Sequence, residues 1–146
     1  MKKILILAII VLVLFSCSKS ENKDTATAQL TPTYQTMAGD WEFVTIVHTN
    51  DSQIAYPHKC TTKKDFIHII TNTKISVYYN QTDCTTQIDG SCDGYYFDGN
   101  IIKNCNNFND AKIISLTATT LQVQFSSPDF FAAIPTAAKG VIFRKL

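Results

Sequence analysis

The 146-residue sequence has no apolar run long enough to cross a bilayer as a helix. Its leading run, Ile4 to Phe15, covers twelve positions, and a spanning helix needs roughly 20. There is no C-x-x-C, and His48, His58 and His68 stand ten residues apart. Zinc sites show tighter ligand pairs, so no metal is expected. There is no Gly-x-Ser-x-Gly elbow to present a serine, and no phosphate loop. The carboxylates Asp89, Asp93, Asp98 and Asp110 are scattered through turn-like stretches, where the Asp side chain favours its own backbone. No catalytic residue can be named, and the expectation is a non-enzyme without a cofactor. Charge excludes a further class. Arg144 is the only arginine, and 13 Lys plus Arg face 12 Asp plus Glu, so no basic field exists to attract nucleic acid.

What is present begins with an address. Lys2 and Lys3 precede the short apolar core, which breaks at "LFSC", Leu14 to Cys17. A basic tip, a short apolar run and a small residue before the break describe a secretory signal peptide. The break resembles a bacterial lipobox. That resemblance implies removal of residues 1–16, a diacylglyceryl group on Cys17, and a place in the cell envelope, at the outer membrane, with the periplasmic or surface face left open. Two or three acyl chains hold a protein durably, since each buried methylene adds about 0.8 kcal/mol. Without Lys2 and Lys3 the chain from Cys17 has eleven basic and twelve acidic side chains. Residues 17–36 are rich in Ser, Thr, Lys, Asn and Ala and read as a flexible tether, and 37–146 as one domain.

In that domain the apolar residues alternate, which is the period of a strand with one buried face. "TLQVQF" puts Leu121, Val123 and Phe125 on one side, and "KIISL" before it carries Ile114 and Leu116. A turn at Ala118-Thr119 pairs Leu116 with Leu121 and Ile114 with Val123, so the apolar stripes coincide. "YYFDGNII" holds Asp98-Gly99, a hairpin signal, which pairs Tyr96 with Ile101 and places Cys92 opposite Cys105. "FIHIITNTKISVYY" turns near Asn72, with Ile67 and Ile69 facing Val77 and Ile75. The strands expected are 40–48, 65–71, 74–80, 92–97, 100–105, 111–117, 120–125 and 140–145. Ser127 and Pro128 suit the start of a short helix before the last of them. Eight short strands without a long helix predict an all-β fold, a single antiparallel up-and-down barrel that leaves no exposed edge. A β-sandwich is the alternative.

With Cys17 acylated, Cys60, Cys84, Cys92 and Cys105 remain, an even number in an exported domain. The hairpin register selects Cys92–Cys105, because facing residues at a non-hydrogen-bonded site have α-carbons about 4.5 Å apart. Cys60–Cys84 follows by elimination and also flanks a hairpin.

"GDW" (Gly39-Asp40-Trp41) opening the first strand resembles the lipocalin signature. Cys60 before "DFIHII", the "GYYFDGN" strand and turn, "IISLTATTLQV" and an aromatic-basic last strand are similar to bacterial lipocalin-like lipoproteins over roughly 37–146. The resemblance implies an eight-strand barrel open at one end, without catalytic machinery, in which Arg144 covers Trp41 by cation–π contact. It implies a small hydrophobic or amphipathic ligand, with Phe66, Tyr78, Tyr95, Tyr96, Phe97, Phe130 and Phe131 as candidate lining residues. The same aromatics suit the plainer role of filling the barrel, which at eight strands is just wide enough for side chains. A protein-binding lipoprotein, such as a hydrolase inhibitor, and a structural envelope component are the other readings.

Overall fold

A computed structural model describes residues 28–70, 74–106, 108, 110–126 and 138–146. The expected lipidated Cys17 and the expected helix with Phe130 and Phe131 lie outside them. The described chain is all-β and antiparallel, with ten strands and one single-turn helix. In order these are α1 (Tyr34–Met37), β1 (Gly39–His48), β2 (Gln53–Ala55), β3 (Phe66–Ile70), β4 (Lys74–Asn80) and β5 (Thr86–Asp93). β6 (Tyr96–Asp98), β7 (Ile101–Lys103), β8 (Ala111–Leu116), β9 (Thr120–Gln124) and β10 (Ala138–Lys145) follow. They form one sheet in the order β5-β4-β3-β1-β10-β9-β8-β7-β6, with β2 added beside β1.

This corrects the expected closed barrel of eight strands, and among the described residues there is no second sheet to make a sandwich. The hydrogen-bonded ladder is open, and its two ends are β5 and β6. Those strands are consecutive, separated only by Gly94 and Tyr95. The chain therefore steps from one end of the sheet to the other with no β5–β6 ladder. The single strand expected at 92–97 is in fact this joint, and β5 starts earlier, at Thr86. Gly94 supplies the bend, at φ +72°, a conformation that costs a residue without Cβ nothing.

Period-two patterning set the interior. Trp41, Phe43, Ile67, Ile69, Ile75, Val77, Leu116, Leu121, Val123 and Phe143 are all buried, on the alternate positions that share one face. The hairpin across residues 71–73 has the expected register, Ile67 opposite Val77 and Ile69 opposite Ile75. Leu116 faces Leu121 as expected, but a bulge between Ile113 and Ser115 puts Ile113 opposite Val123. Ile114 is turned outward and is 43% exposed. The third hairpin is also shifted. Asp98 faces Ile101 and Tyr96 faces Lys103, so the two turn residues are Gly99 and Asn100, not Asp98 and Gly99. Gly99 takes the left-handed φ of +61°. The Asn100 side-chain amide donates to the Ile113 carbonyl at 2.9 Å, which holds the turn onto β8.

Both disulfides form with the expected partners. Cys60–Cys84 has α-carbons 5.1 Å apart and Cys92–Cys105 5.0 Å. The reason given for the second does not hold. Cys92 sits on β5 opposite Ile75 of β4, and Cys105 lies beyond β7. The bridge ties one end of the sheet to the segment leaving the other end, where no ladder does so.

The folded contacts reach back into the segment expected to be tether. Leu30 donates its amide to the Leu116 carbonyl at 2.7 Å. Thr33 and Thr36 form a capping box that starts α1, satisfying backbone donors the short helix would otherwise leave open. Tyr34 is then set against Tyr95 and Phe97, with ring centroids at 5.5 and 5.4 Å.

Candidate functional site

The candidate lining residues do not converge. Strand parity sends Ile67 and Val77 inward, so Phe66 and Tyr78 stand on the outer face, stacked at 4.7 Å with their planes 9° apart. Tyr95 is fully buried while Tyr96, next to it, is 51% exposed. Phe97 returns to the core side and meets Tyr95 edge-on at 5.6 Å. Of the described five, the structure unites Tyr95 and Phe97, adds Tyr34 to them, and leaves Phe66, Tyr78 and Tyr96 outside.

Among the described residues the inward positions carry large, buried side chains. Trp41, Tyr95, Phe43, Phe108 and Phe143 are the largest buried ones, each with 1% exposure or less. Phe43 lies among Tyr56 at 4.8 Å, Phe143 at 4.8 Å and Tyr79 at 6.0 Å. Trp41 donates its indole N–H to the Met37 carbonyl at 2.8 Å, which gives a buried polar atom its partner. The cation over its ring is Lys145, 4.9 Å from the centroid. Lys145 faces Trp41 across the β1–β10 pair, and Arg144 faces Glu42. Arg144 therefore lies on the opposite side of the sheet from the place expected for it, and its guanidinium binds the Glu42 carboxylate at 2.6 Å. Gly39 makes room for Lys145: its φ is +117°, and a Cβ there would meet Lys145 Cε at 3.3 Å.

Glu42 opens a buried polar corner that sequence reading missed. It is 4% exposed, and Asp65 and Asn80 beside it are 2%. His58 Nε2 lies 3.8 Å from Glu42, and Nδ1 lies 3.9 Å from the Asp65 carboxylate. Nδ1 accepts the Asp65 backbone N–H at 3.0 Å, and Asp65 Oδ1 accepts the Asn80 backbone N–H at 2.8 Å. Asn80 also donates to the Lys64 carbonyl and accepts from Thr86 Oγ1, each at 2.8 Å. Burial, the largest influence, lowers the His58 pKa below its ordinary 6.5, against the opposing pull of Asp65. The corner is built to hold a neutral imidazole, and it fastens the 56–65 connection onto β1, β4 and β10. A second histidine, His68, is half exposed and pairs with Asp40 at 2.5 Å, the two facing each other across β1 and β3. No group of three His, Cys, Asp or Glu is arranged to hold a metal among the described residues.

Two features remain on the outside. A groove of about 290 Å³ is lined by Gln53, Gln122, Gln124, Val47, Ile114 and the Asp51–Lys139 ion pair. Its floor is Gly140, which faces Gln124 on one side and Val47 on the other. An added Cβ at Gly140 would come within 2.4 Å of the Val123 carbonyl. The second feature is a row of apolar side chains. Phe66 faces Tyr78, and Tyr78 faces Ile88, so the row runs over β3, β4 and β5 and ends at the open edge of the sheet. Ile88 is 64% exposed.

No family model, curated protein or solved structure matches this chain.

Proposed function

We propose that this is an exported, lipid-anchored, non-catalytic protein of the bacterial cell envelope, lipocalin-like in design, that works by binding a partner on its outer surface. The observation that supports the surface is the packed core: Trp41, Phe43, Tyr95, Phe108 and Phe143 are each 1% exposed or less, so no water-sized void opens beside these described residues. A buried ligand would have to displace side chains that are close-packed, and emptying such space costs several kcal/mol per large residue (about 3–5 for Phe or Trp). Export is supported by the lipobox-like "LFSC" and by the use of all four remaining cysteines in two disulfides, bonds that persist in oxidising compartments. The anchor is Cys17, and the outer face carries the apolar row of Phe66, Tyr78 and Ile88 as a contact surface.

Native mass spectrometry of the protein extracted from its own membranes tests this. The expected mass is the processed polypeptide plus its N-terminal acyl groups. An additional lipid that survives in the folded protein and leaves on unfolding would contradict the surface reading.

The groove favours a second reading, a small polar ligand. Its volume of about 290 Å³ meets the lower end of ligand-site sizes, roughly 300 Å³. Three glutamine amides and an ion pair suit a hydroxylated or amide-bearing molecule better than a lipid. Saturable uptake of such a molecule, lost on Gln122→Leu with Gln124→Leu, is the expected result under that reading.

A further inference from the structure

We propose that the open edge of β5 is a docking strand, and that its occupant is an extended, cationic segment of a partner protein, added as a further strand. The proposal rests on the surface-binding reading and names its place and chemistry. β5 pairs with β4 on one side only. On the other side no backbone hydrogen bond is made by Thr86 to Asp93 among the described residues. Gln87 and Ile88 point to opposite faces, as neighbours on a strand must, and both are exposed. This stretch is therefore exposed at Gln87 and Ile88 on both faces and unpaired along one edge among the described residues. Such an edge presents unpaired N–H and C=O groups to any extended chain, and main-chain bonding there is a recurring mode of peptide recognition.

Charge selects the occupant. Between Lys74 and Lys103 the sequence contains Asp83, Asp89, Asp93 and Asp98 and no Lys, Arg or His. Asp83 accepts bonds from both the Thr85 N–H and hydroxyl, which lower its pKa and keep it ionised. Of the lysines, Lys63 donates to the Cys84 carbonyl at 3.0 Å, and Lys74 faces Asp93 across β4 and β5. Acidic residues and the extra residue β5 carries between Ile88 and Gly90 are devices that discourage pairing of like edges. Against a second copy of this chain they act fully, since its edge is equally acidic. Against a cationic strand the charges attract. Ile88, with Tyr78 and Phe66 behind it, offers apolar contact to alternate side chains of the incoming strand, which gives the site both a main-chain and a side-chain component.

The test uses the full chain and two synthetic seven-residue peptides, one alternating Lys and Val, the other Glu and Val, with hydrogen exchange followed by residue. The Lys-Val peptide is expected to slow exchange at 86–91 and the Glu-Val peptide to leave it unchanged. Binding should weaken about tenfold in the Asp89→Asn, Asp93→Asn variant, and weaken in raised salt, because attraction between exposed opposite charges is screened. The variant changes only the two aspartates in the β5 sequence, and its thermal unfolding reports that it is folded. Protection at another face, equal binding of both peptides, or no binding would overturn the proposal. So would sedimentation as a dimer with 86–91 already protected, which would make the edge a self-contact. Retained interior lipid sinks the surface reading itself; a lipid-free protein whose β5 exchange ignores the Lys-Val peptide sinks only this proposal.

Discussion

His58 shows how a single buried group sets a pH dependence. Its pKa is lowered in the folded protein, chiefly by burial, so near neutrality both states hold it uncharged. As pH falls below 6.5 the unfolded chain takes up the proton first, and stability declines until the folded pKa is passed. Urea midpoints measured between pH 7.5 and roughly 5 should therefore fall, and His58→Gln should flatten that part of the curve. Asp65→Ala removes an acceptor of the buried Asn80 N–H and should cost about 3 kcal/mol in the same assay, since a buried donor left without its partner is costly. Gly140→Ala forces a Cβ to within 2.4 Å of a carbonyl, and a loss of about 2 kcal/mol is expected.

Elements whose two faces differ were legible in the sequence, and single-residue irregularities were not. Ile67, Ile69, Ile75 and Val77 alternate without a break, so one register alone buries them all. The β8–β9 hairpin was right at Leu116 and Leu121 and wrong two residues on, because a bulge at Ile114 leaves the same apolar letters in the string. Asp98-Gly99 is a strong turn signal, but Asn100 binds Ile113 and pulls the turn one residue onward. Arg144 and Lys145 are adjacent cations on opposite faces. The burial of Phe143 implied that parity, which would have put Lys145 over Trp41. The corner of Glu42, His58, Asp65 and Asn80 gave no signal at all. Its members are far apart in sequence, and only the 56–65 connection folding back unites them. At this scale the Thr33–Thr36 capping box is testable: Thr33→Ala should cost about 1 kcal/mol by thermal unfolding and loosen Tyr34 from Tyr95.

For the whole molecule the consequential feature is where the ladder ends. A closed barrel hides every edge; here β5 and β6 are left as ends, joined by two residues of chain and fastened by Cys92–Cys105. The cysteine pairing came out as expected although the hairpin register that selected it did not, since only three pairings of four cysteines compete. The open edge was not, since Thr86–Asp93 reads as a turn-rich polar stretch. Replacing Cys92 and Cys105 together by Ser should lower stability by about 3 kcal/mol in the chain-entropy picture and speed hydrogen exchange in β5 and β6 more than in β1 and β10. Under the proposed anchoring, Cys17→Ser should abolish the N-terminal acyl mass.

Whether the interior is full and the protein binds from outside, as proposed, is decided most directly by the mass of the native protein drawn from its own membrane. Processed polypeptide and N-terminal acyl chains alone are the expected result. A further lipid held in the folded state and shed on unfolding would contradict it.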